Sequence, residues 1–175
     1  MKNWIRSIFR WKADHPFSFY LTDFLFRKLL RQNADVHWPV HFTSTIRAGR
    51  NLKAGAHTFP GDSPNNYIDA TNGVEIGAYT NFGPNVSIIS SNHDFYNNAV
   101  LSAALPVKIG AHCWLGSQSV ILPGVCLGVF TIVGAGAVVT KSFESGYCVI
   151  AGNPAKVIRH LDKEQCNAAA LKKPR

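Results

Sequence analysis

The chain has 175 residues, of which 46% are hydrophobic and 16% are charged, so it is a globular protein and not a disordered one. Its net charge of +8 divides into +7 over residues 1–53, −3 over 54–140 and +4 over 141–175. Basic ends beside a slightly acidic middle indicate local anion binding and argue against a nucleic-acid-binding protein.

The amino-terminal region predicts two helices. Residues 3–12 place apolar side chains on one face and basic ones opposite, and a second helix is expected from about 17 to 31, between Pro16 and Asn33. The first helix leaves two interpretations open. Packing against its own protein or a neighbouring subunit is preferred, and peripheral contact with a membrane surface is the alternative.

A six-residue period replaces the helical one from residue 46 onward. An aliphatic or aromatic anchor recurs at every sixth position, commonly followed by glycine, and the side chain four positions later is small in most hexads. The anchors are Ile76, Phe82, Ile88, Ile109, Leu115, Ile121, Leu127, Val133 and Val139. This pattern fits no α-helix and is typical of a parallel β-helix built from hexapeptides. The predicted fold is therefore mainly β, with helices at 1–45, a β-helix over 46–154 and a tail at 155–175.

Four cysteines, Cys113, Cys126, Cys148 and Cys166, form no C-x-x-C pair or zinc-finger spacing. Cys113 occupies a small inward position of its hexad and is expected to be buried. No signal peptide or membrane span is apparent. The sequence therefore indicates a reduced, cytoplasmic protein without a metal site.

The repeat breaks after Ile88. The next anchor would be residue 94, but the one found is Ile109, which leaves a loop at about 90–106. A long loop in a regular solenoid is more often functional than accidental. It contains His93 and Asp94.

The run "VKIGAHCWLGSQSVILPGVCLGVFTIVGAGAVVTKSFESGYCVIAGNPAKVIR" resembles the hexapeptide-repeat acyltransferases. The resemblance extends over about residues 65 to 160 and is nearest to the galactoside, maltose, nodulation-factor and surface-polysaccharide O-acetyltransferases. It implies a left-handed parallel β-helix, acetyl-CoA as co-substrate and a homotrimer with sites between subunits. The 45 amino-terminal residues differ from the pattern of the maltose and galactoside enzymes.

The resemblance makes His93 the catalytic base, because it follows Gly83-Pro84-Asn85-Val86 at the family's spacing. Transfer of an acetyl group to a hydroxyl requires removal of its proton, and an imidazole titrates near the working pH. A loop histidine that only caps a backbone group is the alternative.

The resemblance also implies a groove for coenzyme A, with the oxyanion held by a backbone N–H near Ser117. The alternative is a structural role: packing at the surface for Trp114, and a solvated basic surface for the other positions. The cofactor-binding positions are Trp114, Ser117, Ala135, Thr140, Lys141, Lys156 and Arg159.

The acceptor is less well determined. Asn65 and Asn66 lie where the family places a polar residue, and Asp94 is a candidate for orienting His93 or for contacting substrate, with a turn-stabilising role as the alternative. A sugar or glycan hydroxyl is expected, and transfer to an amine stays open.

Two other classes of function also stay open. A γ-class carbonic anhydrase needs two histidines five residues apart, but Ser117 stands five residues after His112. A non-catalytic scaffold that presents one face of the solenoid is the second.

Overall fold

The computed structural model describes residues 15–171, so the helix predicted over 3–12 lies outside the described residues. The first helix, α1, spans Phe17–Asp23 and continues as a π-helix over Phe24–Leu29. The prediction of a helix from about 17 to 31 is confirmed. Pro16 is its N-cap, and Asn33 lies beyond its end with a φ of 54°.

Sixteen short strands are found in the described part of the chain, with a 3-10 helix at Gly49–Asn51 and a final helix, α2, at Lys163–Leu171. The strands are β1 Thr45–Arg47, β2 Leu52–Ala54, β3 Tyr67–Asp69, β4 Val74–Ile76, β5 Asn81–Phe82, β6 Ser87–Ile89, β7 Asn92–His93, β8 Leu101–Ser102, β9 Val107–Ile109, β10 Trp114–Leu115, β11 Val120–Ile121, β12 Cys126–Leu127, β13 Thr131–Val133, β14 Val138–Val139, β15 Cys148–Ala151 and β16 Lys156–His160.

The strands form the three sides of a prism. Side 1 has the order β1-β3-β6-β11-β14, side 2 the order β2-β4-β9-β12, and side 3 the order β5-β10-β13-β15-β16. All neighbours on these sides are parallel except β15 and β16. From β4 to β14, apart from the separate pair β7 and β8, the chain passes in turn through sides 2, 3 and 1, which confirms the predicted parallel β-helix.

The hexad anchors fill the prism, as predicted. Each has at most 5% of its surface exposed, and the small residues four positions later are equally buried. Cys113 is 2% exposed, and burial raises the pKa of its thiol to about 11. A residue of either set points inward because a strand alternates its side chains between the two faces.

A column of five stacked rings runs along the corner between sides 2 and 3. Each ring belongs to a residue with positive φ, and the centroids of consecutive rings are 4.7–5.2 Å apart. The ring column consists of His57, Tyr79, His112, Phe130 and Tyr147. The ammonium of Lys163 lies 5.3 Å from the centroid of Tyr147 and so links α2 to one end of the column.

At the amino-terminal end of the β-helix, the side chain of Asn33 accepts a hydrogen bond from the Ile46 N–H at the free edge of β1 and donates to the Ser44 carbonyl. At the other end, the predicted tail forms the antiparallel strand β16 and α2. Neither α1 with its π-helical continuation nor α2 has the length and apolar character needed to cross a membrane.

Candidate active site

The loop predicted at 90–106 leaves the corner between sides 1 and 2, after β6 and before β9. It is a short antiparallel hairpin in which His93 faces Leu101 and Asn92 faces Ser102. His93 is exposed. The structure therefore presents this imidazole to solvent on a segment that projects from the regular coils.

Polar side chains tie both stems of the loop to the preceding coil. The Asp69 carboxylate accepts a short hydrogen bond from the Ser91 hydroxyl. The Asn72 side-chain amide donates to the carbonyls of Ser90, at 2.9 Å, and Ser102, at 3.3 Å. The Asn72 backbone N–H also donates to the Ser90 hydroxyl oxygen at 2.9 Å. One asparagine thus joins the two ends of the loop that carries His93.

The carboxylate of Asp69 is held in its ionised form. Burial raises its pKa, but hydrogen bonds from the Ser91 and Thr71 hydroxyls and the Thr71 N–H outweigh that effect, and the pKa is lowered overall. The positive charge of Arg47 acts in the same direction. An ionised acceptor makes the bond to Ser91 a charge-assisted one, which is stronger than a bond between neutral groups.

Asp94 stabilises the turn of the hairpin. Its Oδ1 accepts hydrogen bonds from the N–H groups of Tyr96, at 2.8 Å, and Asn97, at 3.0 Å. Its own N–H donates to the Val100 carbonyl at 2.9 Å. These contacts give Asp94 the turn-stabilising role that the sequence had left as an alternative.

Ser117 and Ala135 lie in consecutive coils at the corner between sides 3 and 1. The Gly136 N–H donates to the Ser117 carbonyl at 2.9 Å. A Cβ at Gly83 would lie 2.7 Å from the Ser117 nitrogen, so the corners stack closely because glycine occupies that position. Within residues 15–171, no backbone carbonyl accepts a hydrogen bond from the Ser117 N–H.

Trp114 lies on side 3, the same side as the predicted basic positions. It is 44% exposed and sits between Asn81 of β5 and Ile132 of β13. Lys156 and Arg159 belong to β16, at the edge of this sheet, and both are exposed. Three strand spacings, or about 14 Å, separate β10 from β16. Trp114 and the two cations therefore share a surface without touching.

Thr140 and Lys141 occupy the corner between sides 1 and 2, which is the corner that also carries the His93 loop. Both are exposed, and the Lys141 ammonium lies 5.8 Å from the ring centroid of Phe143. One side of the prism separates this corner from that of Ser117. The predicted site residues of a single chain therefore fall into two groups.

The two candidate acceptor residues differ in accessibility. Asn65 is exposed, with a φ of 56°, and its N–H donates to the Thr43 hydroxyl oxygen. Asn66 is 2% exposed, and its Nδ2 donates to the Gly83 carbonyl at 2.9 Å. Asn65 is therefore the one of the pair whose side chain solvent reaches.

His112 belongs to the ring column, where it is half-buried and stacks on Tyr79 and Phe130. Packing of both ring faces counts against His112 as a zinc ligand. In the part of the chain that the structure describes, no cluster of three His, Cys, Asp or Glu side chains could hold a metal ion.

Sequence reasoning missed Asp69, Asn72 and Ser91, which hold the loop. A signal for them exists in retrospect. Asp69 directly follows the buried Ile68, where a strand ends, and Asn72-Gly73 is a turn dipeptide immediately before the next strand.

Comparison with known proteins agrees with this fold. A family model described as "Hexapeptide repeat of succinyl-transferase" matches residues 106–141. Galactoside O-acetyltransferase of Escherichia coli K12 is 31% identical over 163 residues, which cover 89% of this chain and 76% of that protein. The putative colanic acid biosynthesis acetyltransferase WcaF of the same strain is 31% identical over 152 residues, covering 87% of this chain and 76% of WcaF.

Other relatives match over a shorter length. The putative acetyltransferase C18B11.09c of Schizosaccharomyces pombe is 37% identical over 94 residues, 52% of this chain but only 45% of that protein.

Among solved structures, a galactoside acetyltransferase in complex with coenzyme A has a TM-score of 0.67 at 23% identity, and the match covers 88% of both chains.

The length and identity of the match to the E. coli galactoside enzyme place this chain in the hexapeptide-repeat acetyltransferase family. The resemblance predicted from residues 65 to 160 is thereby confirmed, as is the left-handed β-helix.

Proposed function

We propose that the protein is an acetyl-CoA-dependent O-acetyltransferase that modifies a hydroxyl of a sugar or glycan. The observation that carries the proposal is the exposed His93 on a hairpin fixed at both stems to the β-helix. A general base has to be both accessible and well positioned, and this loop supplies both properties.

In the proposed reaction the acceptor oxygen attacks the thioester carbonyl of acetyl-CoA while His93 takes its proton. The tetrahedral intermediate collapses with cleavage of the C–S bond, and the leaving thiolate is protonated to give free coenzyme A. The N–H of Ser117 suits the developing oxyanion, since no backbone group of residues 15–171 occupies it. Transfer is direct, without an acyl-enzyme.

Coenzyme A would lie along side 3, with the pantetheine arm near Trp114 and Ser117 and the phosphates near Lys156 and Arg159. The exposed cations of β16 suit an anionic group. Ala135 of the same chain and Thr140 and Lys141 of a neighbouring subunit would complete the groove, and Asn65 is the accessible candidate for contacting the acceptor.

Because His93 and Ser117 lie at different corners of one chain, the proposal includes a homotrimer in which each site is shared by two subunits. The similarity to WcaF, a putative colanic acid biosynthesis acetyltransferase, favours a surface-polysaccharide acceptor assembled in the cytoplasm.

The first experiment is an assay of acetyl transfer from acetyl-CoA to a panel of sugars, with His93→Ala and the control His37→Ala at another exposed histidine. Loss of a general base is expected to lower turnover at least ~100-fold, while the control keeps its rate. Acetyl-CoA at 100 times its dissociation constant should stabilise both variants by about 2.7 kcal/mol. Unchanged turnover in His93→Ala would contradict the assignment.

Mixing tests the shared site. Trimers formed from His93→Ala and Trp114→Ala chains would contain some sites with both intact residues if the site lies between subunits. They should regain part of the activity that each variant lacks alone. If the mixture stays inactive, His93 and Trp114 of each site come from the same chain.

A further inference from the structure

The helix formed by α1 and its π-helical continuation turns large hydrophobic residues toward solvent. The side chains that form this apolar face are between 42% and 68% exposed. They are Leu21, Phe24, Leu25, Leu29 and Leu30. A contiguous exposed apolar patch on a protein surface marks a contact with a partner or a membrane.

The opposite side of this helix carries an ion pair. Asp23 is 5% exposed, and both of its carboxylate oxygens accept hydrogen bonds from the Arg27 guanidinium, at 2.7 and 2.8 Å. The carboxylate also accepts from the Val40 N–H, and Arg27 donates to the Val36 carbonyl at 3.2 Å. Phe19 and Tyr20 of the same helix are also buried, at 8% and 7% exposure, so its inward side combines this ion pair with two aromatic side chains.

These inward contacts fix the orientation of the apolar face. Rotating the helix to bury the leucines would expose Asp23 and Arg27 and break their bonds to the segment that precedes β1. The helix is therefore attached to the protein through the side that carries the ion pair and the two buried aromatic residues, and in the described structure the apolar face is exposed.

The exposed charges beside the apolar face are positive. Lys28 and Arg31 are both exposed, whereas Asp23, the single acidic residue between positions 15 and 34, is buried. We propose that this surface docks on an anionic lipid bilayer. The leucines and Phe24 enter the boundary between headgroups and acyl chains, and Lys28 and Arg31 contact lipid phosphates.

A second copy of the chain fits this surface less well. A two-fold contact through the apolar face would bring the Lys28 and Arg31 of both copies together, which like charges oppose. An anionic bilayer provides apolar depth and negative charge at the same place. Membrane docking would also bring the hydroxyl-acetylating site near a lipid-linked glycan. This consequence rests on the proposed function, whereas docking itself does not.

The test is flotation of the full chain with vesicles of phosphatidylcholine, with and without phosphatidylglycerol. Binding is expected to the anionic vesicles and to weaken as salt is added. Leu25→Gln/Leu29→Gln should lower the partition coefficient at least about tenfold, and Lys28→Glu/Arg31→Glu should do the same for anionic vesicles. Leu171→Gln, at a leucine that is 85% exposed on α2, is the matched control and should bind as the original does.

Three results would overturn the proposal. The first is no binding of the unaltered chain to anionic vesicles at low salt, and the second is undiminished binding of Leu25→Gln/Leu29→Gln. The third is a change in the oligomer mass of that variant without lipid, which would identify a contact between copies. The acetyl-CoA thermal shift of each variant verifies its fold. That shift and the activity on a soluble sugar stay unaffected by these substitutions, so failure of docking and failure of the proposed function are told apart.

Discussion

The regular coils and the His93 loop contrast in what holds them together. In the coils, the hexad anchors are almost wholly buried and the inner strands of each side bond to the coil before and after them. In the loop, Phe95 and Tyr96 are 97% and 99% exposed, and the stems are secured by the side chains of Asp69 and Asn72. Hydrophobic burial therefore stabilises the solenoid, while a few polar bonds position the segment that carries the proposed base.

The difference indicates that stability and activity are separable in this protein. Substitutions in the coils are expected to change the free energy of unfolding, and substitutions at the loop stems are expected to change the order of the loop with less effect on the whole molecule. The following predictions test that separation.

Leu115→Ala should have the largest effect. Leu115 is fully buried between β5 and β13, so removal of its side chain loses burial and leaves a cavity. A loss of about 2–5 kcal/mol in the free energy of unfolding is expected, measured by urea denaturation. Leu105→Ala, at a leucine that is 76% exposed in the loop, is the control, and equal losses at the two positions would contradict the comparison.

Asp69→Ala should release the loop. It leaves the Ser91 hydroxyl without its ionised acceptor, which costs roughly 1.5–3 kcal/mol for a bond to a charged group. Amide hydrogen exchange around residues 90–102 should speed up about 10- to 100-fold, while exchange in β11 stays slow. Asp69→Asn, whose side-chain oxygen can still accept from Ser91, should restore much of the protection. Equal exchange in the Ala and Asn variants would show that this bond does not hold the loop.

Acid should weaken the same attachment by a smaller amount. The pKa of Asp69 is lowered in the folded protein from its ordinary 3.8, so its contribution is complete above that value and is lost as the pH falls through the lower folded value. Loop exchange, corrected for intrinsic rates, should therefore rise as the pH falls below 3.8. Exchange in the Asp69→Asn variant should not depend on pH in this way. An identical rise in that variant would show that another group causes the pH dependence.

The β-helix could be predicted because its signal is local. Each hexad contains its own anchor and its own small residue, and every anchor from Ile76 to Val139 is found buried. The same regularity revealed the loop, since a break in a period is visible without knowledge of the neighbouring coils.

The loop attachment and the apolar face could not be predicted in this way. Asn72 and Ser102 are 30 residues apart, and their contact depends on which turns of successive coils stack. The outward orientation of Leu25 and Leu29 depends on what the helix turns inward, which is the hydrogen-bonded Asp23 and the buried aromatic residues Phe19 and Tyr20. A helical period shows that one face is apolar, but it does not show which face the protein buries.

The ring column has a consequence for where the chain can accept insertions. Its five rings keep a constant position in every coil from His57 to Tyr147, so an extra residue at that corner would put one ring out of stack. The corner between sides 3 and 1 is closed by glycines such as Gly83, where a Cβ would lie 2.7 Å from the coil below. At the remaining corner a Cβ at Gly73 or Gly124 would come no closer than 3.3 Å to another atom, and there the chain inserts its hairpin. An engineer who wished to graft a new binding segment onto this scaffold would begin at that corner.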